Sequence, residues 1–321
     1  MELSFTFNSI TFAIIKLFGL MFIGYILRNR KIIDDKFTDT LSLLLVKIIF
    51  PALIFTKIIS HFNFSAYAYW WILPILAIVL SLLGMAIGYF VYSFINGNAV
   101  RKEFMCSCGF QNCGYLPMNL ILFAFSGALA DRFLVYTFLF IIGFNLIIWS
   151  LVPIFLEGNM KKGFKLSLFL NPPIIATLLS ILWVLFAGKN HFPIILFEPL
   201  RLLGQAAFPI AMITLGAYLA RYRAYDLEYD MRRNVIAACI SKLLILPAVI
   251  LILLKWLPIA VDYKFFLFLQ GIMPVAVSLV VIGSYSGADN KFLSSTIFYS
   301  HLIAIFRIPL WFAFFKFVML G

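Results

Sequence analysis

Two short stretches combine glycine, proline and side-chain amides inside runs that are otherwise apolar. The first is QNCGYLPMNL, which begins at Gln111, and the second is LQGIMPVAVS, which begins at Leu269. Glycine tolerates unwound backbone, while proline removes a backbone N–H and clashes with the preceding turn. Each stretch is therefore predicted to interrupt a helix, with unwound crossings at Gly114 to Pro117 and at Gly271 to Pro274. For either motif taken alone, an ordinary proline kink is the alternative.

The chemistry that such a pair of breaks supports is the binding of an anion. The N-terminus of a half-helix presents free N–H groups and a positive partial charge. In a membrane, the polar groups of an unwound stretch must be satisfied by protein or by a water-lined cavity. Neutral polar side chains nearby would orient a ligand. The predicted substrate-binding residues are Gln111, Asn112, Gly114, Pro117, Asn145, Lys242, Gln270, Gly271, Pro274 and Ser278.

Several ionisable residues also lie inside apolar segments, where a charge is costly and by default faces a cavity or a partner. Lys242 is about 15 Å along a helix from Arg232, near the middle of its segment. We hypothesise that it neutralises an anionic substrate; snorkelling or bonding to backbone carbonyls is the alternative. His301 is a candidate proton carrier, with a packing role as the alternative. The roles of three further residues stay open: Lys16, Lys47 and Arg307.

The elements that must position these residues are membrane-spanning helices. The 321 residues are 64% hydrophobic and only 12% charged, far from the balance of a soluble domain. A span needs about 20 apolar residues, at about 1.5 Å each, to cross about 30 Å of hydrocarbon. The sequence predicts ten spans: residues 8–27, 38–58, 67–95, 103–126, 132–156, 170–188, 200–220, 233–255, 263–285 and 292–317.

Most of the positively charged residues lie in the loops between these spans. A net charge of +12 would suggest a nucleic-acid partner in a soluble protein. Here one alternating set of loops, around Arg28, Arg101, Lys161 and Arg232, holds most of the Lys and Arg residues. Because cytoplasmic loops carry this excess, we expect a lipid bilayer rather than nucleic acid, a location in the cytoplasmic (plasma) membrane, and both termini outside.

The two halves of the chain repeat one pattern. Prolines and short motifs recur at a nearly constant separation, as in IFPALIF and AFPIAMI or DRFL and NKFL. An odd number of spans in each copy makes the second copy insert upside down, as in many secondary transporters. The predicted fold is all-α, with ten transmembrane helices in two inverted five-helix repeats, residues 1–156 and 166–321. Its broken helices 4 and 9 cross at the midplane. The paired prolines are Pro51 with Pro209, Pro117 with Pro274, and Pro153 with Pro309.

Several of these motifs resemble the auxin efflux carrier family, within the wider group of bile acid sodium symporters. The resemblance rests on LFGLMFIGYILRNRKIIDDKFTDTLSLLLVKIIFPALIF, QNCGYLP, NPPIIATLLSIL and GIMPVAVS, and it covers nearly the whole chain. It implies that Pro117 and Pro274 match the crossing prolines of the family. Asn112 matches a polar residue before the first crossing, although its spacing to Pro117 is shorter here than in the family.

The resemblance also implies that the helices form two parts, a scaffold and a transport core. A scaffold, often dimeric, would comprise residues 8–58 and 170–220, and a transport core would comprise residues 67–156 and 233–317. An organic anion would bind beside the crossing. The sequence therefore predicts a secondary transporter of a small organic anion, such as an auxin-like or malate-like carboxylate, that works by alternating access.

Other functions remain as alternatives. A sodium-coupled symporter of the bile acid carrier type and a ligand sensor without net transport would use the same crossing, so sodium or proton coupling stays open. An enzyme is not expected, because the chain has three histidines, no His-Glu-x-x-His pattern and no carboxylate pair inside a span. No cofactor and no metal site are expected. The cysteines lack a matching set of His or Asp ligands: Cys106, Cys108, Cys113 and Cys239.

Overall fold

The computed structural model describes residues 7–95, 99–157, 171–188, 192–222 and 227–319. The regular structure of these residues is helical. The α-helices, numbered along the chain, are α1 (Phe7–Asn29), α2 (Asp35–Leu44), α3 (Phe50–His61), α4 (Ile72–Ser93), α5 (Arg101–Gly109), α6 (Tyr115–Ala124), α7 (Gly127–Glu157), α8 (Pro172–Phe186), α9 (Ile194–Gln205), α10 (Ala207–Arg221), α11 (Tyr229–Ile240), α12 (Leu246–Trp256), α13 (Val261–Gly271), α14 (Ser278–Ser286) and α15 (Asn290–Met319).

Within the described residues, 7 helical units are long and apolar enough to cross a membrane. Each of them overlaps one of the predicted spans. Helix α8, a shorter apolar helix, matches the predicted span 170–188. The polar stretch EGNMKKGFK, residues 157–165 between the two predicted repeats, lies almost entirely outside the described residues. The units are Ser9–Asn29, Asp35–His61, Ile72–Ser93, Gly127–Glu157, Ile194–Arg221, Tyr229–Trp256 and Asn290–Met319.

The two remaining predicted spans are each divided into two short helices. Residues 103–126 contain α5 and α6, which are separated by Phe110–Gly114, and residues 263–285 contain α13 and α14. The prediction that Gly114 to Pro117 is unwound was wrong at its proline. Pro117 lies in the first turn of α6, where a backbone N–H has no partner within the helix, so proline is tolerated there.

In the second divided span, proline does lie in the break. Helix α13 ends at Gly271, α14 begins at Ser278, and Pro274 lies between them. Gly271 also permits a close approach, because a Cβ at this position would collide with the side chain of Ile250. The two breaks therefore differ in detail, although each follows a short helix and precedes another.

Two of the long units contain a π-helical turn, at Leu45–Ile49 and at Ser241–Ile245. Each turn comes just before a proline, Pro51 in α3 and Pro247 in α12. Because proline lacks an N–H and its ring crowds the preceding turn, the hydrogen-bond register widens locally while the helix continues. At the end of each turn the wider register is made by one bond, from the N–H of Phe50 to the carbonyl of Leu45 and from that of Leu246 to the carbonyl of Ser241.

Glycine allows the first helix to pack directly on the backbone of α10. A Cβ on Gly24 would collide with the backbone of Ile213, and a Cβ on Gly216 would collide with the backbone of Met21. Small residues of this kind let membrane helices approach closely, which increases their van der Waals contact. These glycines join α1 to α10, two elements of the predicted scaffold.

Candidate functional site

The backbones of the two breaks pair with each other. The N–H of Asn112 donates to the carbonyl of Pro274 at 2.8 Å, and the N–H of Ala276 donates to the carbonyl of Phe110 at 3.0 Å. Gln111 and Val275 form an isolated antiparallel bridge between them. Since unwound backbone in a membrane must find internal partners, this pairing explains how both helices can be interrupted at one level.

Side chains hold the ends of the short helices beside this pairing. The Nζ atom of Lys242 is fully buried and donates to the carbonyl of Cys108 at 3.1 Å, at the C-terminal end of α5. A cation is favourable there because it faces the negative end of a helix dipole. Lys242 therefore bonds to a backbone carbonyl in this structure. Such a bond was the alternative to the hypothesised contact with an anionic substrate. Gln270 also donates, from Nε2, to the carbonyl of Cys113 at 3.5 Å.

Asn112 is held by its backbone and by both ends of its side chain. Its Oδ1 accepts from the N–H of Leu116 at 3.4 Å in the first turn of α6, and its Nδ2 lies 3.3 Å from Nε2 of His301. Nδ1 of His301 lies 2.8 Å from the carbonyl of Ile297, so this nitrogen carries the proton and Nε2 accepts from Asn112. This is the arrangement of a neutral, packed imidazole; whether His301 carries a proton stays a hypothesis.

A cavity of about 210 Å³ lies against the first break. Among the described residues, no charged side chain lines it. Five of the predicted binding residues line it, namely Gln111, Asn112, Gly114, Asn145 and Ser278. The other lining residues are Val46, Phe50, Ile54, Cys113, Tyr115, Met118, Ile141, Phe144, Trp149, Asn171, Pro173, Ala276 and Val277.

The other predicted binding residues lie at the two breaks or support them, and they are not among the described residues that line this cavity. Pro274 supplies a paired carbonyl, Gly271 ends α13, and Pro117 lies within α6. Lys242 and Gln270 tie the ends of the break. The sequence did not distinguish the predicted residues that line the cavity from those that lie outside its lining.

Three helices begin at this cavity. The N-cap residues of α6, α14 and α8 all line it, namely Gly114, Val277 and Asn171. In the first turn of α6, the N–H of Leu116 donates to the side chain of Asn112, and Pro117 has no N–H. In α14, the N–H groups of Leu279 and Val280 donate to the carbonyls of Ala276 and Val277. Both helices therefore act on the cavity mainly through the positive ends of their dipoles. Helix α8 contributes only its dipole, because its first two residues are prolines and Asn171 Oδ1 accepts from the next N–H at 3.1 Å. The positive dipole ends of three helices thus lie at the cavity.

Gln111 is a polar side chain of this wall that is buried without a partner. It is fully buried, and neither its Oε1 nor its Nε2 has a hydrogen-bond partner within the described part of the chain. A buried amide in this condition is costly to the folded protein. Because Gln111 also lines the cavity, its free donor and acceptor are available to a ligand.

Part of the cavity wall was missed by the sequence analysis. The rings of Phe50 and Tyr115 lie 5.2 Å apart and tilted, and Trp149 adds a further aromatic side chain. In a chain with 37 Phe, no local signal separates a site aromatic from a packing one. Asn171 was recognisable as the start of a helix, but only the fold shows that this helix begins at the cavity.

The remaining ionisable residues of the spans lie apart from the cavity. Lys16 and Lys47 are exposed on the surface of the chain, and Lys47 lies in the first π-helical turn. The guanidinium carbon of Arg307 lies 5.3 Å from the ring centre of Trp311. Arg307 is thus placed on an aromatic face, where a cation is attracted by the ring quadrupole.

Comparison with known families agrees with this architecture. The model of the family described as membrane transport protein matches the chain twice, over residues 9–163 and over residues 158–312. The chain belongs to this family. The resemblance to auxin efflux carriers is thereby confirmed, and with its apolar helical units the chain is a multi-pass membrane protein.

Two archaeal relatives match over nearly their whole length. An uncharacterized transporter of Methanocaldococcus jannaschii is 24% identical over 300 residues, which cover 91% of this chain and 94% of the relative. An uncharacterized transporter of Methanothermobacter thermautotrophicus is 24% identical over 311 residues, which cover 95% of this chain and 98% of the relative. The description of the family and the names of both relatives therefore agree on membrane transport.

Proposed function

We propose that this member of the membrane transport protein family is a secondary carrier of a small organic anion, most simply a carboxylate. The observation that carries this proposal is the convergence of three helix N-termini on one cavity with no charged lining residue among those described. Anions are favoured at helix N-termini, because free N–H groups and the positive end of the dipole point toward them.

The cavity also indicates the size and the polarity of the substrate. Its volume of about 210 Å³ is below the roughly 300–1,000 Å³ that is usual for drug-sized ligands. Gln111 and Asn145 offer amide groups, and the aromatic residues Phe50 and Trp149 add apolar surface to the same lining. A small carboxylate with an apolar or hydroxylated body fits both features.

The architecture that we propose for transport is that of two inverted five-helix repeats, residues 1–156 and 166–321. The double match of one family model and the pairing of the two breaks support this arrangement. A core of residues 67–156 and 233–317 would move against a scaffold of residues 8–58 and 170–220. Such a motion exposes a central site first to one face of the membrane and then to the other.

We further propose that the carrier resides in the plasma membrane with both termini outside, because the positively charged loops around Arg28, Arg101, Lys161 and Arg232 would then face the cytoplasm. A dimer through the scaffold helices belongs to the same proposal. Coupling to protons through His301 or to sodium is left to the binding experiment.

Thermal unfolding of the purified protein against a panel of mono- and dicarboxylates tests the proposal. A ligand that binds only the folded state must stabilise it in proportion to its occupancy. We expect a shift for a subset of carboxylates and none for matched neutral amides or alcohols. A dependence on sodium or on pH would identify the coupling ion, with sodium dependence favouring the symporter alternative.

Uptake of the stabilising carboxylate into proteoliposomes then separates a carrier from a sensor, because a sensor would bind the anion without moving it. Stabilisation by neutral analogues alone, or by none of the panel in protein shown to be folded, would overturn the assignment of an anionic substrate.

A further inference from the structure

A small group of charged residues joins the proposed scaffold to the proposed core at one end of the molecule. Nζ of Lys57 lies 2.6 Å from Oδ1 of Asp131, and Nε2 of His61 lies 3.5 Å from Oδ2 of the same carboxylate. Lys57 and His61 belong to α3, and Asp131 belongs to the first turns of α7. All three side chains are partly buried, with Asp131 only 19% exposed.

This group lies beyond the cavity on the side away from Trp149. On α3, Lys57 follows the lining residue Ile54 by about one helical turn. On α7, Asp131 precedes the lining residue Ile141 by about 15 Å. Trp149 lies farther along α7 in the opposite direction. Along α3 and α7 the ion pair therefore lies beyond one end of the cavity, and Trp149 lines the cavity toward the other end.

The ion pairs of Asp131 differ from the others in what they connect. Arg132, the next residue, pairs with Asp262 of α13, so it joins two helices of the core. Among the ion pairs between described residues, those of Asp131 with Lys57 and His61 are the ones that join scaffold to core. A motion of the core against the scaffold would leave the Arg132 pair intact and would break those of Asp131.

We propose that Lys57, His61 and Asp131 form a gate that closes this end of the transport pathway. This inference rests on the proposed alternating access, and it adds the contacts that hold one of its states. A bistable element responds to the free energy of contacts made in only one state. Because the pairs of Asp131 exist only while core and scaffold meet at this end, they stabilise the state that is closed here.

The cavity contains a natural reporter of its own accessibility. Cys113 lines the cavity, whereas Cys106 and Cys108 are fully buried elsewhere. Labelling of Cys113 by a membrane-impermeant maleimide, applied separately to each face of the membrane and located by peptide mass spectrometry, reports which end is open. The measurement requires no substrate, so it does not depend on the identity of the transported anion.

We expect Asp131→Asn to increase the rate of Cys113 labelling from the face on which His61 lies by about five-fold or more. The matched control is Asp262→Asn, which removes the ion pair within the core and should leave this rate unchanged. Exchange of the two charges, Lys57→Asp with Asp131→Lys, should bring the rate back toward that of the native protein.

An unchanged labelling rate in folded Asp131→Asn protein would overturn the gate, as would an equal increase in Asp262→Asn. Should Asp131→Asn not fold, Lys57→Met removes the closer partner and is judged by the same criterion. The binding panel tests the carrier assignment separately: anion binding with unchanged labelling refutes the gate alone, and a labelling change without anion binding refutes the substrate class alone.

Discussion

Replacing Gln111 by methionine should stabilise the ligand-free protein and weaken its binding of substrate. The amide of Gln111 is fully buried, with neither polar atom paired to any described residue. A buried polar group without a partner costs about 1–3 kcal/mol. Methionine has a similar length and no such group. We therefore expect Gln111→Met to raise the free energy of unfolding without ligand by about 1–3 kcal/mol.

The same substitution removes the donor and acceptor that the cavity offers to an anion. A hydrogen bond to a charged group contributes about 1.5–3 kcal/mol. Its loss corresponds to a roughly ten- to hundredfold increase in Kd, at 1.4 kcal/mol for each factor of ten. Stability and affinity should thus change in opposite directions, which a general disturbance of the fold would not produce.

The assay is thermal and denaturant unfolding of the purified protein, with and without the carboxylate that stabilises the native chain. Asn119→Leu is a matched control, because Asn119 is buried with an unpaired Oδ1 but is not among the described residues that line the cavity. The control should leave Kd unchanged. A Gln111→Met protein that is less stable without ligand and keeps its native Kd would refute the reasoning.

Further substitutions test the supports of the site. Lys242→Met leaves the carbonyl of Cys108 without its donor, so the free energy of unfolding should fall by about 1–3 kcal/mol. The Kd should change less than in Gln111→Met. A large change in Kd with unchanged stability would instead support a contact between Lys242 and the substrate. Gly143→Ala places a Cβ against the backbone of Pro74 and should lower thermal stability, since this contact cannot yield. Gly114→Ala is its control in the same assay, because a Cβ there meets Met118 at an ordinary 3.5 Å; equal losses in the two variants would contradict the packing argument.

The broken helices illustrate how far the sequence predicted the site. Glycine and proline in an apolar run signalled both interruptions, because their backbone preferences are local properties. The same signals did not predict how far each break extends. Pro117 was expected in the unwound stretch, yet it lies inside α6, because proline near the start of a helix costs no hydrogen bond. Local propensity cannot distinguish a proline that ends a helix from one that begins the next.

The role of Lys242 is an example of a question that the sequence left open. Its position inside a span indicated a functional or structural partner, and both an anion and a backbone carbonyl were possible. The fold brings Nζ of Lys242 to the carbonyl of Cys108 at 3.1 Å, although the two residues are far apart in the chain. Whether lysine meets an anion or a backbone carbonyl depends on where two helices approach each other. The chemistry of the side chain does not specify that position.

The amino-acid sequence alone established a membrane protein of many spans, the two interrupted helices and the family, because a bilayer imposes length and polarity on consecutive residues. Only the tertiary structure decided which amides surround a cavity, that Gln111 has no partner among described residues, and that Asp131 reaches Lys57 across the proposed scaffold and core. These features depend on the distances between segments that are remote in sequence. Those distances are set by how whole helices pack.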